Sequence, residues 1–292
     1  MKKLLLLTTL FLISCSSEIK DLNVEDLPKE FTFINNTHSS LPDEWVSEFN
    51  EIMGTLQKVI PINSTNYFYE LPIYAWNSIA DSPFQNKIGN ASGASISGNG
   101  QEINGKFMVL EIPKEEFDGN YMHRFSVICH EYYHAYQMSL SKHFFDGNIA
   151  LKWMSEGAAA TFESLYLQQH YSYAYFEEAQ NNVDVAVINS PRIFEKYDTS
   201  GDKDSNYSSS VFMLLALSKE LQNSGLSEPQ AFKLIMKEFW LNNPTNDNWK
   251  VTFEKTFNMR VDDFYDSLTS YENNINTVIP NEELTLESIY EN

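Results

Sequence analysis

The sequence predicts an α+β fold, in which a mixed N-terminal lobe with a small sheet precedes a mainly helical C-terminal lobe. Three observations predict it. Residues 67–76 and 106–112 are short apolar, aromatic-rich runs of the length and composition of buried strands. After Pro113 the pattern changes, and apolar residues recur at helical spacing in one segment after another. Pro191, Gly225 and Pro244 fall between those segments, where helices stop and start. With 292 residues and 42% hydrophobic content, the chain can bury a core of its own.

Taken in order, Met1-Lys2-Lys3 and the apolar run 4–13 have the shape of a secretory leader, too short to span a bilayer. Leu12-Ile13-Ser14-Cys15 looks like a bacterial lipobox, which makes 1–14 a signal peptide and Cys15 the lipidated first residue of the mature protein. The alternative is an ordinary cleaved signal with an incidental cysteine. Several acyl chains on Cys15 would anchor the protein to a bacterial membrane on the side away from the cytoplasm, with residues 15–26 as a polar tether.

The N-terminal α/β lobe is expected over 27–120. Leu41-Pro42-Asp43 opens a helix whose residues Trp45, Phe49, Met53 and Leu56 share one face. Between the two strand-like runs, residues 87–105 are rich in Gly, Ser and Asn, the composition of turns and irregular loops. Helices are expected near 121–142, 153–171, 207–223, 227–241, 246–257 and 261–273. Residues 121–275 thus form a helical lobe, and 276–292 a tail.

Forty acidic against twenty basic residues give a net charge of -20, which repels phosphate backbones and excludes nucleic acid as an expected partner. The plain reading of that charge is a well-solvated surface. Beyond Cys15 the only cysteine is Cys129, so the mature chain cannot close an internal disulfide. Cys129 directly precedes His130. Neighbouring helix positions point about 100° apart, which favours a buried structural thiol over a metal ligand.

His130-Glu131-Tyr132-Tyr133-His134 is the motif that carries chemistry. Residues four apart on a helix stack on one face, so two imidazoles reach one ion, with Glu131 beside them as general base. The alternative is a pair of ordinary histidines on an amphipathic helix. A catalytic zinc takes three protein ligands and keeps one position open. Position 140 is Leu, which excludes a third histidine six residues after His134. Downstream, Trp153-Met154-Ser155-Glu156-Gly157 opens another helix. Glu156 is the third-ligand candidate, its alternative role being an acidic residue favoured by the helix dipole.

With these residues in view, HEYYH followed by WMSEGAAATFE resembles the gluzincin metallopeptidases of the thermolysin and aminopeptidase type, and most closely their small peptidase MA-like members. The resemblance implies a gluzincin fold with Zn(2+) bound by His130, His134 and Glu156. It also implies that Glu163 orients a ligand histidine. Asn206-Tyr207-Ser208-Ser209-Ser210 resembles the start of the helix that carries the family's transition-state tyrosine, which makes Tyr207 the candidate oxyanion donor, although Ser210 replaces the usual glycine. The match runs over roughly residues 105–273. No G-x-M-E-N segment precedes the motif, so the resemblance points to an endopeptidase rather than an aminopeptidase. The run 106–112 falls where the family has its peptide-pairing edge strand, or else is a core strand.

The function expected is hydrolysis of peptide bonds in a peptide or protein substrate. Two other readings share these residues: a zinc-containing binding lipoprotein without turnover, and a zinc hydrolase of a non-peptide amide. Glu131, which binds no metal, favours catalysis over binding.

Overall fold

The computed structural model describes residues 30–98, 105–198 and 203–291, so the expected leader, tether and Cys15 lie outside the described residues. The fold is α+β. Four strands form one sheet: β1 (Thr32–Thr37), β2 (Glu70–Asn77), β3 (Ala94–Ser97) and β4 (Phe107–Ile112), in the order β1-β2-β4-β3. β1, β2 and β4 are parallel, and β3 runs antiparallel to β4 with Ala94 opposite Leu110 and Ile96 opposite Met108.

The sheet is buried on both faces, which explains why β2 reads as an unbroken apolar run rather than an alternating one. Leu71, Ile73 and Ala75 of β2 and Met108, Leu110 and Ile112 of β4 face the main core. Tyr74, Trp76, Phe107 and Val109 face a smaller cluster that includes Ile88. The link between β1 and β2 is α1 (Asp43–Val59), which starts after the extended Pro42 and buries Trp45, Phe49, Ile52, Met53 and Leu56.

Two expectations need correction. The 106–112 run is not an edge strand: β4 is paired on both sides. The edge on that side of the sheet is β3, which lies inside the Gly/Ser/Asn-rich segment expected to be irregular. Its sequence Ala94-Ser95-Ile96-Ser97 has little strand propensity, and only pairing with β4 makes it a strand. β1 was equally silent, because Thr32–Thr37 is a half-exposed edge with two adjacent asparagines.

In the helical lobe, α2 (His123–Leu140) is buried almost continuously from Ser126 to Met138. Two hydrogen bonds fix it against α1, from Trp45 Nε1 to the Arg124 carbonyl (3.1 Å) and from the Tyr132 hydroxyl to the Ile60 carbonyl (3.0 Å). Antiparallel packing brings in α3 (Lys152–Tyr171), which ends on a left-handed Ser172, and α4 (Lys203–Asn223) lies against α3. The two helices come into close contact at Gly157. A Cβ built there would stand 2.6 Å from the Ser210 carbonyl oxygen, so no larger residue fits without moving backbone.

A capping box at Ser227 and Gln230 starts α5 (Glu228–Lys233), which continues into a wide π-helical turn at Leu234–Glu238. There the Met236 carbonyl accepts the Tyr133 hydroxyl at 2.7 Å, tying α5 to the motif helix. Helices Trp249–Phe257 and Val261–Ser267 follow where helical spacing was read. The last residues do not trail away: Leu286–Tyr290 forms a helix whose Tyr290 ring packs edge-on against Tyr136 at 5.8 Å. No helix among the described residues is long and apolar enough to cross a membrane.

Candidate metal centre

One helical turn separates His130 and His134 on α2, and their rings meet edge to face at 4.8 Å. Both side chains are nearly buried. Glu156, in the second turn of α3, reaches between them: its Oε2 lies 3.5 Å from His130 Nε2 and 3.2 Å from His134 Nε2. One ligand atom from each residue falls within 4.8 Å of the others, a group that could hold a metal ion. It is the only such group of His, Cys, Asp or Glu among the described residues. Cys129 stands outside it, fully buried, with its thiol pushed up by burial and by the nearby Glu163.

Each of the three has its far side engaged. Glu163, two turns beyond Glu156 on the same face of α3, approaches His130 Nδ1 at 3.4 Å. Gln137 Oε1 accepts from His134 Nδ1 (2.7 Å), and its amide Nε2 donates to the Ser155 carbonyl at 3.3 Å. Lys152 donates to Glu156 Oε1 at 2.9 Å. The sequence reading found Glu163 but missed Gln137 and Lys152. Gln137 had a signal: three residues after His134 on a helix is a contact position, and a fully buried Gln needs a partner.

Electrostatics follow from this packing. Burial alone would lower the His130 pKa, but the facing carboxylates of Glu156 and Glu163 outweigh it and push the value up to about 10. Burial works the other way on Glu156, and the two histidines and Lys152 overcome it, holding that carboxyl well below the usual range. Glu131 is raised, chiefly by burial. Its Oε2 is buried and has no hydrogen-bond partner among the described residues, an expensive state for an acceptor with no role.

Beside this group, reached from it at His130, is a cavity of about 590 Å³ lined by His130, Glu131, Glu163 and Tyr207, with Gly93 and Ala94 at the entry to β3. Tyr207, in the second turn of α4, sets its ring edge-on to His130 at 5.7 Å. Burial and the surrounding carboxylates raise its pKa far above the ordinary phenol value, so the hydroxyl stays neutral and able to donate. Tyr197 is also near, 6.3 Å from Tyr207 ring to ring, but its hydroxyl lies 3.0 Å from Ser210 Oγ. Among the residues singled out in the sequence, His130, Glu131, His134, Glu156, Glu163 and Tyr207 therefore stand together.

The first turn of α3 is fixed from behind. Trp153 Nε1 donates to the Tyr265 hydroxyl at 3.0 Å, and its ring packs on Phe264 at 5.6 Å. That anchors the backbone from which Glu156 projects. A buried carboxylate between two imidazoles, beside a second carboxyl with an unpaired oxygen, can bind a cation and move a proton at neighbouring positions. No protein-family model, curated protein or solved structure matches this chain.

Proposed function

We propose that the protein is a zinc-dependent metallopeptidase of gluzincin type, anchored by lipid on Cys15 to a bacterial membrane outside the cytoplasm. The observation that carries the proposal is the convergence of His130, His134 and Glu156 beside a cavity lined by Glu131, whose carboxylate keeps one buried, unpartnered oxygen. Zinc suits the donor set. Two imidazole nitrogens and one carboxylate oxygen are its common catalytic ligands, and bonds of about 2.0–2.1 Å in a tetrahedron set ligand atoms about 3.3–3.4 Å apart. The two edges to Glu156, 3.5 and 3.2 Å, bracket that spacing.

When bound, zinc supplies Lewis acidity toward a carbonyl and toward water. The chain supplies the rest. Glu131 takes the proton of the attacking water and passes it to the departing amine. Tyr207 donates to the oxygen that gains charge as the carbonyl becomes tetrahedral, a contribution of about 3 kcal/mol for such donors. Glu163 and Gln137 hold the two imidazoles in the tautomers that turn Nε2 inward. The outer edge of β3, which pairs with no further strand among the described residues and whose first residue lines the cavity, supports cleavage within extended peptides over removal of single terminal residues.

The test is Glu131→Gln in the full chain. The amide keeps the shape but cannot take a proton, so zinc content should stay near one per chain while peptide cleavage falls by about 100 to 10,000-fold. A zinc-loaded wild type that cleaves no peptide library would overturn the catalytic reading.

A further inference from the structure

Beyond Glu131 and Glu163, the cavity is walled by three further carboxylates, Glu111 of β4, Glu178 and Asp204, and by one ammonium, Lys203. None of the three carboxylates forms an ion pair among the described residues. Glu111 Oε2 accepts the Gly93 backbone N–H at 2.8 Å, and Glu178 accepts the Tyr173 hydroxyl. Lys203 forms no ion pair with this wall among the described residues; its Nζ lies over the Tyr207 ring, 5.6 Å from the centroid, and five carboxylates in the lining outnumber its single charge.

A second, independent observation bears on the same wall. Gln180 lines the cavity, is only 3% exposed, and its Oε1 has no hydrogen-bond partner among the described residues. A buried carbonyl oxygen that nothing satisfies calls for a donor from a ligand. Excess carboxylate and an unmet acceptor together suit a group that is cationic and rich in N–H donors, which describes a lysine ammonium or an arginine guanidinium. An apolar side chain would leave the buried Gln180 oxygen unmet, and an anionic one would also be repelled by the half-buried Glu111 and the exposed Glu178 and Asp204.

Resting on the metallopeptidase reading, we propose that this cavity is a specificity pocket for a Lys or Arg side chain next to the cleaved bond, with Gln180, Glu111, Glu178 and Asp204 as its acceptors. The pocket lies on the Glu131 and Tyr207 side of the metal group, so the residue it holds is presented to the base and to the oxyanion donor.

Two measurements on the full chain test it. In zinc-loaded wild type, kcat/KM should fall at least about tenfold when the Lys or Arg of a matched peptide is replaced by Gln or Met, the size expected for losing charge-assisted hydrogen bonds. Gln180→Leu, and the double change Glu111→Gln with Asp204→Asn, should each shrink that preference severalfold. Equal cleavage of both peptides, or a preference for neutral or acidic side chains, would overturn the proposal. So would a loss of cleavage when the peptide's N-terminus is acetylated, since the acceptors would then serve a free α-amine.

The second measurement does not depend on turnover. Glu131→Gln loaded with zinc should bind the Lys peptide about tenfold more tightly than its Gln counterpart in calorimetry, and the difference should shrink at high salt. Equal binding overturns the pocket even if the enzyme is active, whereas the expected difference in a protein whose wild type cleaves nothing would keep the pocket and discard the peptidase.

Discussion

The metal group and the α3–α4 contact sit one residue apart on α3, at Glu156 and Gly157, and are held together by opposite means. Glu156 is fixed by polar contacts, with two imidazoles on one oxygen and Lys152 on the other. Gly157 is fixed by the absence of a side chain, which lets the Ser210 carbonyl come close. A polar network can lose one member and leave the backbone in place, but a backbone contact cannot give at one point without moving its neighbours. Changes in the first region should therefore damage function locally, and changes in the second should damage fold and function together.

The largest effect expected is from Glu156→Ala, which removes a proposed ligand. Zinc content should drop from about one per chain to well below that, with the far-ultraviolet circular dichroism unchanged. Loss of helical signal in that variant would mean that Glu156 is structural as well, and the two regions would not be separable. Next comes Gly157→Ala. Its new methyl meets backbone rather than a flexible side chain, so unfolding free energy should fall by about 1–3 kcal/mol in urea titration, and metal affinity should fall with it because Glu156 moves. Unchanged metal affinity at reduced stability would break the comparison from the other side.

Smaller effects should sort the outer partners. Glu163→Gln and Gln137→Leu each leave the ligands in place and should weaken metal binding by about 10 to 100-fold in competition with a chelator. Tyr207→Phe should leave metal affinity alone and lower kcat, whereas Tyr197→Phe, whose hydroxyl is already engaged with Ser210, should change kcat little. Equal losses in both would remove the distinction between the two tyrosines.

The last effect is one of pH. Without metal, Glu156 and Glu163 push the His130 pKa from the ordinary value of about 6.5 up to about 10, so its charged form should contribute stability that is complete below about 6.5 and is lost as pH rises through about 10. Metal must displace that proton, so affinity should increase with pH over the same interval. A chelated protein equally stable at pH 6 and pH 10 would contradict the packing of Glu156 and Glu163 on His130.

How much could be read in advance depended on whether a residue's role was local. His130 and His134 were legible because helical spacing alone puts them on one face, and Glu163 because it repeats the face of Glu156. Lys152 was equally local, standing four residues before Glu156 on the same helix, and it went unread because a lysine at a helix start is usually solvated. The buried strands β2 and β4 announced themselves by apolar content. β3 did not, because its strand character comes from Met108 and Leu110 across the ladder rather than from Ser95 or Ser97. The closing helix Leu286–Tyr290 was missed for a similar reason: five residues carry too little periodicity to be seen until Tyr290 finds Tyr136.

Cys129 lies immediately before a proposed ligand yet is sealed in the core, with its thiol held in the neutral form. A thiol in that state does not react with alkylating reagents until the helix around it opens. Its labelling rate therefore reports, at one position and without any added probe, how often the α2–α3 unit comes apart. Measured with and without metal, it would give the fraction of the protein's stability that the ion supplies.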